Sequence, residues 1–184
     1  PLLFASRLLM RFGSRPLIRF ANYAGMVFLV SLAWTNDPAL WLLINIGFNF
    51  SMSLLGVSVN SHAVLLQKQI SINIIGRMHA GWSLGAVGAA ITGAISTTFL
   101  SLELFLILVA IATIVIFEFT LRWLLSPEED GHVEERAGVV KRKFYQIPSQ
   151  LWFLAIGLFA GIYPEVAVID WAAVFARDVL NVDV

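Results

Sequence analysis

Glu165 is a carboxylic acid inside the apolar run Leu151 to Ala176, directly after Pro164 and with no basic residue within helical reach. A carboxyl held in hydrocarbon prefers its neutral form, so such a group can bind and release a proton near neutrality. It is a candidate for proton coupling or substrate contact. Pro164 adds to this reading, because it removes a backbone hydrogen bond, bends the helix and leaves carbonyls that only a cavity or polar neighbour satisfies. Tyr163 beside it is a candidate cavity aromatic, with ordinary packing the favoured alternative. Asp170 and Trp171 can hydrogen-bond and stack on a sugar-like ligand, or sit as a pair at the membrane interface.

A second constellation lies between Pro38 and Leu66, where Asn45, Asn49, Ser53 and Asn60, with Gly56 among them, fall on one face of a helix. Amides facing lipid would each cost a few kcal/mol, so this face requires a water-filled path or a neighbouring helix. Asn49 and Asn60 are the favoured substrate contacts, with Asn45 on the same line. Between Met78 and Leu100, Gly81, Gly85, Ala89 and Gly93 recur every four residues. Such a stripe lets another backbone approach closely, for packing or for a rocking interface. Trp82 on that helix is a candidate cavity aromatic, with ordinary packing the favoured alternative, and His62 and His79 read as interface histidines or proton carriers. Glu118 and Arg122 are spaced for an ion pair within one helix. No set of ligands has the spacing of a metal site, and no nucleophile is paired with a base, so neither a metal, a cofactor nor a catalytic residue is expected.

The elements that position these residues are apolar helices. Of 184 residues, 59% are hydrophobic and 13% charged, and the mean hydropathy is +0.83. That is too apolar for one water-soluble core, and the lipid bilayer is the natural solvent. Formal net charge is zero and cysteine is absent, so nucleic-acid binding, disulfides and thiol chemistry are not indicated. Five segments approach the roughly 20 residues that cross a hydrocarbon core. They are Leu17 to Trp34, Pro38 to Leu66, Met78 to Leu100, Leu102 to Leu125 and Leu151 to Ala176. Gly13 and Pro16 mark the first break, Asn36-Asp37-Pro38 the second, Lys68 and Arg77 bracket the third, and Ser101 is a tight hairpin. Residues 126–150 are the single charged, soluble-looking stretch.

If successive loops alternate sides, the loops at 7–19, 67–77 and 126–150 share one face. Of the 12 Lys and Arg residues only Arg177 falls on the other. The positive-inside rule makes the shared face cytoplasmic.

In the first of these loops, Ser6-Arg7-Leu8-Leu9-Met10-Arg11-Phe12-Gly13-Ser14-Arg15 resembles the loop signature between helices 2 and 3 of the major facilitator superfamily. Arg11, Gly13 and Arg15 match it; Ser6 and Met10 depart from it where Gly and Asp are expected. The segment Arg77 to Gly85 with Gly88-Ala89, and Glu165 with Asp170-Trp171, are similar to the fucose-permease-like bacterial branch. The resemblance implies an all-α, polytopic, partial major facilitator fold in a bacterial inner membrane. Residues 1–125 would be the end of helix 2 to helix 6 of the N-terminal half, 126–150 the central cytoplasmic loop, and 151–184 helix 7. The missing initiator Met and the short segment Pro1 to Ser6 fit a cut through a longer protein.

The expected function is transmembrane transport of a small polar solute, such as a sugar, by alternating access with proton coupling. Its partners would be the solute, protons, the bilayer and the remaining helices. Multidrug or metabolite efflux is the alternative, followed by an integral-membrane enzyme or a structural membrane subunit.

Overall fold

A computed structural model of the chain describes residues 2–96, 98–126 and 148–181. Most of the expected central loop, 127–147, lies outside these, as do the side chains of Ser6 and Asp170. Six helices follow in order, α1 (Leu2–Phe12), α2 (Ser14–Leu32), α3 (Pro38–Ile70), α4 (Ile75–Ser96), α5 (Leu102–Leu121) and α6 (Ser149–Asp178), with no strand among the described residues. The chain divides into two compact units, one containing α1 to α5 and the other α6.

The breaks between helices have local causes. Gly13 has φ 78°, a left-handed conformation that a side chain disfavours, and it turns the chain between α1 and α2 within one residue. Asp37 caps α3, its Oδ1 accepting from the amides of Ala39 (2.7 Å) and Leu40 (3.0 Å), with Pro38 in the first turn. Ser71, at φ 55°, closes α3. The amide of Ile74 then donates to Gln67 Oε1 at 2.9 Å and holds the entry to α4. Ser101 caps α5 from its hydroxyl.

Among the described residues, three helices are long and apolar enough to cross a membrane: α3, α5, and Ser149–Val168 of α6. Five were expected from the sequence. The first of the other two, α2, carries Arg15, Arg19 and Asn22, and the second, α4, is rich in glycine and alanine, which add little hydropathy. The loops are also shorter than expected. Arg7 and Arg11 lie on α1, Arg15 and Arg19 on α2, and 67–70 belong to α3, because Arg, Lys and Gln are good helix formers and charge alone does not end a helix. Pro164 likewise sits inside α6, which is continuous from Ser149 to Asp178.

The core of the first unit is Ala5 and Leu9 of α1, Leu17 and Ala21 of α2, and Leu54 of α3. The line Ser14, Ile18, Ala21, Asn22, Gly25 on α2 faces Ser51, Leu54, Ser58 and His62 on α3, all buried. A Cβ on Gly25 would overlap the terminal methyl of Met52, and one on Gly47 would come within 2.6 Å of the Phe28 ring. The helices approach over small residues, as in membrane helix pairs. Ser51 and Ser58 return their hydroxyls to the backbone carbonyls of Gly47 (2.9 Å) and Leu54 (2.8 Å), so neither is left unsatisfied.

Candidate functional site

The polar residues of α3 divide between two sides of the helix. Ser51, Ser58 and His62 share the side packed on α2; Asn45, Asn49, Ser53 and Asn60, at about 100° per residue, fall on roughly the opposite side. Asn49, Ser53 and Asn60 are exposed and Asn45 is half-buried. Asn49 Nδ2 donates to Asn45 Oδ1 at 2.7 Å and to its backbone carbonyl at 3.0 Å. Asn60 Nδ2 donates to the carbonyl of Gly56 at 2.8 Å. These bonds return some amide capacity to the helix itself, while the exposed oxygens and hydroxyls can still receive donors from a solute or water.

On α6, Glu165 is exposed and has no hydrogen-bond or ion-pair partner among the described residues. Tyr163 is also exposed, its ring 5.9 Å from that of Phe159, and Trp171 is exposed one turn and a half beyond Glu165. Arg177 forms an ion pair with Asp178 at 2.7 Å at the end of the helix. Trp82, Gly81, Gly85 and Ala89 on α4 are exposed and Gly93 half-buried, and a Cβ at Gly81, Gly85 or Gly93 would meet nothing within 4 Å. Within unit 1 the structure therefore brings the Asn face of α3 together as one stripe and does not bring Trp82 to it by any ring contact or hydrogen bond. No group of His, Asp and Glu able to hold a metal occurs among the described residues.

Two polar links were not foreseen. His62 is buried, and its Nδ1 lies 2.6 Å from Ser14 Oγ while the Leu125 amide donates to Nε2 at 3.3 Å. With Nε2 accepting from the Leu125 amide, the Nδ1 proton is the one directed at Ser14 Oγ. One ring thus fastens the start of α2, the last third of α3 and the chain after α5. Beside it lies an apolar cavity of about 230 Å³ lined by Ile18, Leu66, Met78, Phe117 and Leu124. His79, by contrast, is exposed on α4.

The second link replaces the expected pair of Glu118 with Arg122. Glu118 receives a fork from Arg19 on α2, Nε to Oε1 at 2.7 Å and Nη2 to Oε2 at 3.0 Å, and Tyr23 OH donates to Oε1 at 2.8 Å. The planar guanidinium matches both carboxylate oxygens, a geometry that the flexible spacing within one helix does not supply. Arg122 stands at the C-cap of α5 as a neighbouring charge. The alternating connections put Arg19 and Glu118 at the same end of the helices, but they put Arg122 there too and do not choose between the two. Arg11, on α1, lies over the Phe12 ring at 5.2 Å.

Comparison with known protein families, with curated proteins and with solved structures returned no match.

Proposed function

We propose that the chain is part of a major-facilitator-type transporter that carries a small polar solute across a membrane by alternating access, with Glu165 as the proton-coupling group. The observation that carries this reading is the Asn45–Asn49–Ser53–Asn60 stripe. It runs along α3, a helix of 33 residues apolar enough to span, on the side away from its contact with α2. A span that presents amides and a hydroxyl away from its packed face needs water, a solute or further helices there, and a solute path supplies the first two. A carboxyl with no partner among the described residues, placed after a proline in a second candidate span, adds a group able to exchange protons. A sugar-like solute fits neutral amide and hydroxyl contacts, and drug or metabolite efflux is the second outcome of the same geometry. In this reading the end of the unit holding His62 and Arg15 faces the cytoplasm.

The test is uptake by the intact protein in sealed vesicles under an imposed proton gradient. Gradient-driven accumulation that is lost in Glu165→Gln, with a weaker affinity in Asn49→Leu, is the expected result. Accumulation that is unchanged in Glu165→Gln would remove the coupling assignment.

A further inference from the structure

The outer face of α2 carries a second surface with a different chemistry. Arg15, Pro16, Arg19, Phe20 and Tyr23 line an open groove of about 450 Å³. Of its two guanidiniums, Arg19 is committed to Glu118, while Arg15 has no acidic partner among the described residues. Phe20 and Tyr23 expose their rings beside them. A cation next to exposed aromatic surface suits a ligand with an anionic head and an apolar body.

Depth narrows the choice. The 20 residues of α5 cover about 30 Å, the thickness of the hydrocarbon core. Glu118 stands about one turn from its end, and Arg19 lies opposite. Because α2 and α5 run antiparallel, with Ser14 and Leu125 both meeting His62, Arg15 lies one turn further out than Arg19. Its charge is therefore at the level where the span leaves hydrocarbon, and Phe20 is on the hydrocarbon side of it.

We propose that this groove binds the phosphate headgroup of an anionic phospholipid, with Arg15 as the anchor, Phe20 against the upper acyl chain, and Glu118 limiting the site by holding Arg19. The proposal rests on the placement of α3 and α5 in a bilayer and not on transport, so a failed uptake experiment leaves it standing. It makes a sign-specific claim: removing the acid should strengthen binding, because a second guanidinium becomes available to the phosphate.

The experiment is native mass spectrometry of the intact protein released from nanodiscs containing equal phosphatidylglycerol and phosphatidylcholine. The ratio of retained phosphatidylglycerol to phosphatidylcholine should fall about five-fold in Arg15→Gln, as expected for one basic residue at an anionic surface, and stay near the parent value in Arg15→Lys. In Glu118→Gln it should rise. An unchanged ratio in Arg15→Gln, or no rise in Glu118→Gln, overturns the proposal. So does displacement of the lipid by millimolar inorganic phosphate, which would assign the groove to a soluble anion. The Glu118→Gln arm keeps every arginine, and it decides the question even where Arg15→Gln lowers the yield of folded protein.

Discussion

On α2 and α3, Gly25 and Gly47 stand where the ends of Met52 and Phe28 already fill the space beside them and Gly56 stands over open space, whereas on α4 Gly81, Gly85, Gly88 and Gly93 all stand over open space. A Cβ at Gly25 or Gly47 would run into Met52 or Phe28; at Gly81, Gly85, Gly88 or Gly93 it would meet nothing within 4 Å. The two regions differ in polar contacts as well. The α2, α3 and α5 helices are tied by Ser14 to His62 and by Arg19 and Tyr23 to Glu118, while the hydrogen bonds on α4 from Ser83 and Thr92 return to its own carbonyls. Gly25 and Gly47 thus have a contact to explain them in the first region. In the second the glycines are a surface, and what meets it is outside this chain's described contacts.

The largest effect that would sharpen this comparison is expected at Gly47. Gly47→Leu drives a bulky side chain into the Phe28 ring, whose nearest atom would lie 2.6 Å from the new Cβ, and should cost about 3 kcal/mol, or the folded protein altogether, read as the thermal midpoint in detergent. Ser14→Ala comes next. It leaves the Nδ1–H of a buried imidazole without this acceptor, with an expected loss of about 1–3 kcal/mol in the same assay. Arg19→Gln should lower the midpoint less than Ser14→Ala, because the Glu118 pair is partly exposed, at 46% and 35% of the side-chain area, and water screens it. At the small end, Gly85→Ala should cause no loss of stability, since its Cβ enters open space and alanine favours helix. A marked loss at Gly85 would break the comparison and show that α4 is as closely covered as α2.

Local chemistry made the helix boundaries legible. Asp37 before Pro38, Ser101 before an apolar run, and Gly13 between two arginine-bearing stretches act on their own neighbours, so their consequences can be read without a tertiary structure. The α3 stripe was legible for the same reason, since helical spacing alone aligns Asn45, Asn49 and Asn60. What could not be read was pairing across helices. Glu118 has one basic residue four positions away and another 99 positions earlier. Only the packing of α5 along α2 decides that the distant one binds. His62 is similar: the sequence places it near a helix end, and only the crossing of α2 shows that Ser14 meets it. The charged 7–19 segment misled in the opposite way, because its arginines project from two helices joined at a single glycine. Asn22 had no sequence signal. It is buried between α2 and α3 with Oδ1 unpartnered among the described residues, a group whose replacement should cost little.

The central claim, that the Asn face of α3 meets water within the membrane, can be tested most directly by thiol accessibility in a cysteine-free background, to which these 184 residues contribute no cysteine. Single cysteines at positions 49, 53 and 60 would be compared with cysteines at Leu43 and Phe50, which are exposed on the same helix but off the polar stripe. In sealed membranes of the intact protein, a water-soluble maleimide should label positions 49, 53 and 60 and leave 43 and 50 unlabelled. Equal labelling at all five positions, or none at 49, 53 and 60, would contradict the account.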